Sequence, residues 1–300
     1  MHESSPTDTV ARRLKNYLQL TKPSIMLLVI ITGATALIIE GSLLHEPIRF
    51  CLVLLALYLT GGSANALNQY FERDIDAKMS RTSRRRPLPQ GMIKPFRALF
   101  FSVSIGLAGV LIFGFAFNWL TALLSLATIL FYSLFYTLLL KPNTAQNIVI
   151  GGIAGAMAPV GAWAAATGRM DIVPWILFLI VFLWTPPHFW ALALFYKEDY
   201  HVSNLPMLPI VKGDDVTLQQ IVVYSFLLVI SSLLFFIFQA GWFYLIVASV
   251  TGIRFIFKSI QAKKYRTEKH FRGLFGYSIA YLFILFIAMV IDDFITRIHI

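Results

Sequence analysis

The sequence predicts an all-α polytopic membrane protein, one domain of nine transmembrane helices, and three observations carry that prediction. Of 300 residues, 58% are hydrophobic and only 13% charged, whereas a soluble domain carries roughly a quarter charged residues. Nine stretches reach the length of about 20 apolar residues that a helix needs to cross the hydrocarbon core. The basic residues are also shared unequally between alternate connections, as the positive-inside rule requires.

The spans run approximately 24–41, 50–69, 97–117, 119–140, 147–168, 172–194, 217–238, 241–257 and 273–291. Trp119, Trp175 and Trp242 stand at span ends, where amphipathic rings mark the interface. With residues 1–17 as a cytoplasmic N-terminal tail, the long loops 70–96, 195–216 and 258–272 all lie on the cytoplasmic side. Of the 25 Lys and Arg residues, only Arg49, Arg169 and Arg297 then fall outside. An odd number of spans puts Asp292, Asp293 and the C-terminus outside. The net charge of +10 therefore records topology first and is no argument for nucleic acid.

Met1–Tyr17 has no hydrophobic signal core, and Glu3 and Asp8 oppose a mitochondrial transit peptide. A bacterial cell inner membrane is the expected location. The single cysteine, Cys51, excludes an intrachain disulfide and reads as a packing residue. In span 5, Gly151 and Gly155 form the small-xxx-small pattern of close helix packing.

The long charged loops direct the search for function to the cytoplasmic face. Asn68, Glu72 and Asp76 are spaced i, i+4, i+8 and share one helix face. Three oxygen-bearing side chains in line suit a hard cation such as Mg²⁺, whose remaining positions are taken by water and phosphate oxygens. The arginines that follow (Arg81, Arg84, Arg85, Arg86) suit the phosphates.

A second informative stretch, Trp184 to Tyr200, runs from the end of span 6 into the loop after it. Pro186-Pro187 is expected to break or kink the helix. His188 lies there between Trp184 and Trp190, an ionisable group at membrane depth. On continued helical geometry Asp199 returns to the face of His188, and Lys197 and Glu198 add charge at the mouth. Two acidic clusters with basic neighbours suggest one composite site in which metal ions bridge a diphosphate attached to a greasy group. Lys22 and Lys141 stand at helix ends as topology anchors or diphosphate contacts. Tyr132 and Tyr136, one turn apart on span 4, are candidates for stabilising an allylic cation on their ring faces. Ion transport is the rival from another class, but it places carboxylates near the midplane, and the acidic residues here stand at span ends or in loops.

The pattern Asn68-x₃-Glu72-x₃-Asp76 with Arg81-Thr and Arg86-Pro-Leu-Pro89 resembles the first signature of the UbiA superfamily of intramembrane prenyltransferases. Glu72-Arg-Asp-Ile-Asp76, Leu20-Thr-Lys-Pro23, Trp184-Thr-Pro-Pro-His-Phe-Trp190, Tyr196-Lys-Glu-Asp-Tyr200 and Pro206-Met-Leu-Pro209 are similar to its branch that farnesylates protohaem. The likeness covers about residues 18–290. It implies a nine-helix bundle around a central cavity on the cytoplasmic side, with Mg²⁺ as cofactor and farnesyl diphosphate and haem B as substrates. Asn68, Glu72, Asp76 and Asp199 would hold metal, with Glu198 as a further ligand. Lys22, Arg81, Arg85, Lys141 and Lys197 would meet diphosphate, and His188 would approach the haem iron, a propionate or a proton. The product would be haem O, for a haem-modifying enzyme or a terminal oxidase. The neighbouring branch prenylates an aromatic acid or quinone precursor. The chain departs from the wider superfamily in lacking an aspartate-rich second motif, which leaves the second metal's ligands open.

Overall fold

The computed structural model describes residues 6–203 and 205–298, so the tail residues His2 and Glu3 and the terminal His299 lie outside the described residues. Among the described residues every regular element is helical, and nine helices are long and apolar enough to cross a membrane.

An amphipathic helix α1 (Pro6–Leu20) leads in. The spans are α2 (Pro23–Glu40), α3 (Pro47–Phe71), α6 (Pro95–Ala116), the pair α7 (Trp119–Leu130) and a π-helical segment (Phe131–Leu140), α8 (Asn147–Thr167), α9 (Ile172–Phe195), α12 (Gly213–Phe238), α13 (Trp242–Tyr265) and α14 (Glu268–Ile298). Short helices α4 (Arg73–Lys78) and α5 (Ser80–Ser83) follow α3, while α10 (Lys197–Val202) and α11 (Leu208–Val211) follow α9. Proline opens α2, α3 and α6 at the first turn, where its missing N–H costs nothing.

Each predicted span has its helix, and the ends differ where charge and hydropathy part company. Span 8 was bounded at residue 257, but α13 continues through Lys258, Lys263 and Lys264 to Tyr265. Lysine ends an apolar run without ending a helix. The N-terminal tail carries α1, a helix whose exposed Val10, Leu14 and Leu18 form an i, i+4, i+8 stripe beside Arg12, Arg13 and Lys15. That pattern suits a helix lying in the membrane interface. The two prolines do not break α9: it runs unbroken through Pro186 and Pro187, both buried. Cys51 is exposed on the outer face of α3, so it does not pack in the core.

The spans form a ring. α3 packs on α6 and α8, α8 on α9, α9 on α12 and α14, and α13 on α12 and α14. α2 touches α3, α8 and α14 and so closes the ring between first and last spans. At the end away from the long loops, Arg297 Nη2 donates to the carbonyls of Ile38 and Ile39, both at 3.0 Å. Gly41 makes this possible: its φ is +90°, and an added Cβ would lie 2.7 Å from Arg297 Nη1. At the same end Asp292 is buried on α14 and accepts from Gly241 N and Tyr244 N, capping α13.

At the opposite end the two long loops form a cap. Asp199 at the start of α10 accepts from Ser80 Oγ at 2.7 Å and from Arg81 N at 3.1 Å, at the N-terminus of α5. Arg81 also lies over the rings of Tyr196 and Tyr200.

Candidate active site

Beneath the cap lies a cavity of about 490 Å³. Asn68, Glu72 and Asp76 line it and are buried, although α3 ends at Phe71 and α4 begins at Arg73. The alignment survives that junction because the i→i+4 bonds continue. Glu72 N donates to Asn68 O at 3.0 Å and Asp76 N to Glu72 O at 2.8 Å.

Each of the three meets a cation from elsewhere in the chain. Lys22 Nζ donates to Asn68 Oδ1 at 2.7 Å, Lys141 Nζ to Glu72 Oε1 at 2.5 Å, and Arg86 pairs with Asp76 while standing 3.8 Å from Glu72. Lys22 has φ 53° and ψ 70°, a left-handed conformation costly to a residue with a Cβ and typical of constrained sites. Arg86 precedes Pro87, which restricts its backbone. Three basic side chains face two carboxylates, an arrangement that suits an anion.

The same contacts set the electrostatics of the cluster. Burial works to raise Glu72, but Lys141, Lys22 and Arg86 together outweigh it and hold the carboxylate below the usual glutamate range. Burial raises Asp76 above its ordinary value, with Arg86 offsetting part of the rise. Burial, then Arg86, pull Lys22 well below the lysine range, against the pull of Glu72. Bringing a polyanion into the cluster favours the charged form of Lys22.

Next to this polar head the cavity wall is aromatic. Tyr132 and Tyr136 are stacked, with centroids 5.1 Å apart and planes 23° from parallel. They lie on the π-helical segment, a winding common at functional sites. Thr137 Oγ1 donates to Tyr132 O at 2.7 Å and accepts from Asn68 Nδ2 at 3.2 Å, which ties the aromatic wall to the polar head.

The glycines of α8 divide their roles differently from the packing expectation. A Cβ on Gly151 would lie 2.5 Å from the Tyr136 ring, so Gly151 makes room for that tyrosine. A Cβ on Gly155 would meet nothing within 4 Å, because Gly155 faces the cavity. Gly152 instead meets Thr185 of α9.

Further along, His188 is stacked between Trp184 and Phe275, at centroid distances of 4.2 and 4.5 Å. Its Nδ1 lies 2.7 Å from Ser278 Oγ, and Ser278 Oγ donates to Phe275 O at 2.6 Å. The serine proton is thereby committed, so His188 Nδ1 is assigned as the donor, which leaves the lone pair of the neutral ring on Nε2. The histidine is thus anchored to α14 through a serine hydroxyl. Ile25 of α2 and Ile279 of α14 are both exposed and cavity-lining, and they mark a mouth between these two helices.

The structure brings Lys22, Asn68, Glu72, Asp76, Arg81, Tyr132, Tyr136, Lys141 and His188 to one cavity. Five expected residues stand elsewhere, among them Arg84, exposed in the same turn as Arg85. Arg85 is exposed in a turn, and its neighbour Arg86 takes the inward position. Lys197 pairs with Asp214 at 2.8 Å, half-exposed. Glu198 is exposed. Asp199 does not return to the face of His188, since α9 ends at Phe195 and the chain turns into α10. Its carboxylate joins the cap. The sequence offers Arg86 only as one of four arginines suited to phosphate, and it does not mark Thr137, Phe275 or Ser278. Only Arg86 had a local signal, its place before proline.

The donor set fits a hard divalent cation: two carboxylates and an amide oxygen, all buried, with phosphate oxygens able to complete the shell. Among the described residues, no group of three His, Cys, Asp or Glu side chains forms a self-sufficient metal site.

Residues 27–289 match the model of the UbiA prenyltransferase family. A protoheme IX farnesyltransferase of Gloeobacter violaceus is 45% identical over 284 residues, 93% of this chain and 92% of the relative. One from Erythrobacter litoralis is 44% identical over 288 residues, 94% of this chain and 93% of the relative. Among solved structures, a digeranylgeranylglyceryl phosphate synthase superposes with a TM-score of 0.77 at 22% identity, covering 94% of this chain and 99% of the other. A UbiA homolog from Archaeoglobus fulgidus bound to GPP and Mg²⁺ gives 0.62 at 15% identity, covering 91% and 99%. These two structural likenesses are likenesses of fold. With the family match spanning most of its length and relatives above 40% identity across nearly all of it, the chain belongs to the UbiA prenyltransferase family.

Proposed function

We propose that this protein transfers a farnesyl group from farnesyl diphosphate to a vinyl group of protohaem IX, with addition of water, giving haem O and diphosphate. The observation that carries this is a buried head of Glu72 and Asp76 under three cations, set against an aromatic and apolar cavity that opens sideways between α2 and α14. The acceptor follows from the protoheme IX farnesyltransferases that this chain resembles over nearly its whole length.

In this reading Lys22, Arg81, Arg86 and Lys141 neutralise the departing diphosphate, which takes the electron pair of the breaking carbon–oxygen bond. Asn68, Glu72 and Asp76 would hold Mg²⁺, which supplies charge stabilisation to the phosphate oxygens. The faces of Tyr132 and Tyr136 attract the allylic cation left behind. The acceptor vinyl group forms the new carbon–carbon bond, and water adds its oxygen to the carbon cation beside the macrocycle. His188 Nε2 takes the proton that this water loses. The lone pair on that nitrogen suits a base and does not suit a propionate clamp. The cap held by Asp199 keeps bulk water from the allylic cation until the acceptor is bound.

The chain forms one domain, placed in a bacterial inner membrane with its N-terminus and cap on the cytoplasmic side. The basic excess of the loops at the cap end supports that orientation. A haem-modifying enzyme or terminal oxidase receives the product. The test is an assay of membranes carrying the protein with haem B, farnesyl diphosphate and Mg²⁺, resolved by chromatography and mass spectrometry. A haem heavier by a farnesyl group and water, lost with chelator, is expected. Prenylation of an aromatic acid instead of haem would move the protein to the neighbouring branch.

A further inference from the structure

The α13–α14 hairpin carries a pair of cations that the reaction centre does not use. Arg254 and Lys258 are one turn apart on α13 and lie over the same ring, that of Tyr277 on α14, at 5.2 and 5.6 Å from its centroid. Tyr277 is held in place because its hydroxyl donates to Thr251 O at 2.8 Å. Among the described residues neither cation has a carboxylate within 4.0 Å.

Their position is unusual for unpaired charge. Arg254 is exposed on the outer surface of the bundle, beside exposed Ile253 and Phe257. Counted along the helix from Trp242 at its first turn, it lies roughly 18 Å into a hydrocarbon layer about 30 Å thick. An ionisable side chain there marks function by default, and a single ring shared by two cations leaves both attracting an anion.

The surface beside the pair is smooth. Gly276 and Ala280 of α14 are exposed, and a Cβ added at Gly276 would meet nothing within 4 Å. On the other flank of the same helix Ile279 stands at the cavity mouth. A helix with its side chains is about 10–12 Å across, so a flat ligand of that width would span from the cations to the mouth. Protohaem has this form, with two propionate carboxylates on one edge of a flat macrocycle and vinyl groups towards the other.

We propose that Arg254 and Lys258 receive the propionates of the haem acceptor, with the macrocycle lying across Gly276 and its vinyl edge at the mouth between α2 and α14. The proposal rests on the haem reading above and adds to it the place where the acceptor docks from the bilayer. Carboxylate recognition falls to this pair, because His188 Nε2 offers a lone pair and no proton to a propionate.

The test uses the full-length protein in lipid nanodiscs. Binding of protoporphyrin IX and of its dimethyl ester is measured by fluorescence, and turnover with haem B and farnesyl diphosphate by chromatography. The wild type is expected to bind the diacid at least tenfold more tightly than the ester, as for paired charge-assisted contacts. Arg254→Gln/Lys258→Gln is expected to erase that preference and raise KM for haem by a similar factor. Its KM for farnesyl diphosphate stays at the wild-type value, which also shows that the variant is folded. Arg254→Lys/Lys258→Arg should restore most of the preference. A double Gln variant that still prefers the diacid overturns the docking site while leaving the reaction intact. So does a variant whose only change is a lost response to anionic phospholipid. A wild type that never turns over haem overturns the reaction itself, and the docking site with it.

Discussion

Arg85 and Arg86 are neighbours in sequence, yet only Arg86 points into the cavity, where it pairs with Asp76. Arg86→Ala is expected to weaken binding of the prenyl donor by roughly 10- to 100-fold, the range for a lost charge-assisted contact. Arg85→Ala should leave it unchanged; steady-state kinetics against farnesyl diphosphate separates the two. Glu72→Gln and Asp76→Asn are expected to reduce turnover by at least about 100-fold, as loss of a transition-state charge contact does. Stability falls in the same variants. Removing one partner of a buried pair costs about 3–5 kcal/mol, so thermal melting in detergent should drop while the helical circular dichroism persists. A Glu72→Gln protein with unaltered turnover would remove that carboxylate from the site. The line of Asn68, Glu72 and Asp76 was readable from spacing, since all three belong to one stretch. The cations opposite them were not, because Lys22 and Lys141 arrive from other helices at a sequence separation no local pattern encodes. The exposed alternative, Arg85, was indistinguishable from Arg86 until the turn before Pro87 was known.

Among the elements, α8 shows how one glycine-rich helix can serve both packing and cavity. Gly151→Ala drives a Cβ against the Tyr136 ring, an overpacking that costs typically 1–3 kcal/mol and displaces the ring from the cavity wall. Gly155→Ala meets no atom, so melting should be nearly unchanged and only the fit of the prenyl chain altered. Comparing melting temperature with KM for donors of different chain length checks both. If the two variants melt alike, the close approach of Tyr136 to α8 is not a constraint. The small-xxx-small spacing is visible in the sequence, but which glycine faces a helix and which faces a void depends on the rotation of α8. Apolar length alone revealed nine spans. It could not reveal α1, whose charges lower its hydropathy although its apolar stripe is regular.

At the scale of the whole molecule the cap joins the two halves of the site, and Asp199 is the residue that fastens it. Asp199→Ala is expected to loosen α5 and α10 from one another and to raise the fraction of farnesyl cation captured by water, seen as farnesol formed per haem product. The Mg²⁺ concentration for half-maximal rate should not move. A large shift in that concentration would return Asp199 to the metal. The sequence misplaced Asp199 because it extended one helix through Tyr196, where the chain in fact turns; hydropathy carries no mark of that bend.

The π-helical stretch from Phe131 to Leu140 has one consequence for how such a cavity can be altered. Each of its hydrogen bonds spans one residue more than in an α-helix, so the same stretch can lose a residue and remain a helix. Lys141 follows directly after it and grips Glu72. A one-residue deletion between Phe131 and Leu140 would therefore leave the span long enough for the membrane while turning Lys141 and the tyrosines about the helix axis. The length of the chain here, as well as its composition, sets which groups meet the diphosphate.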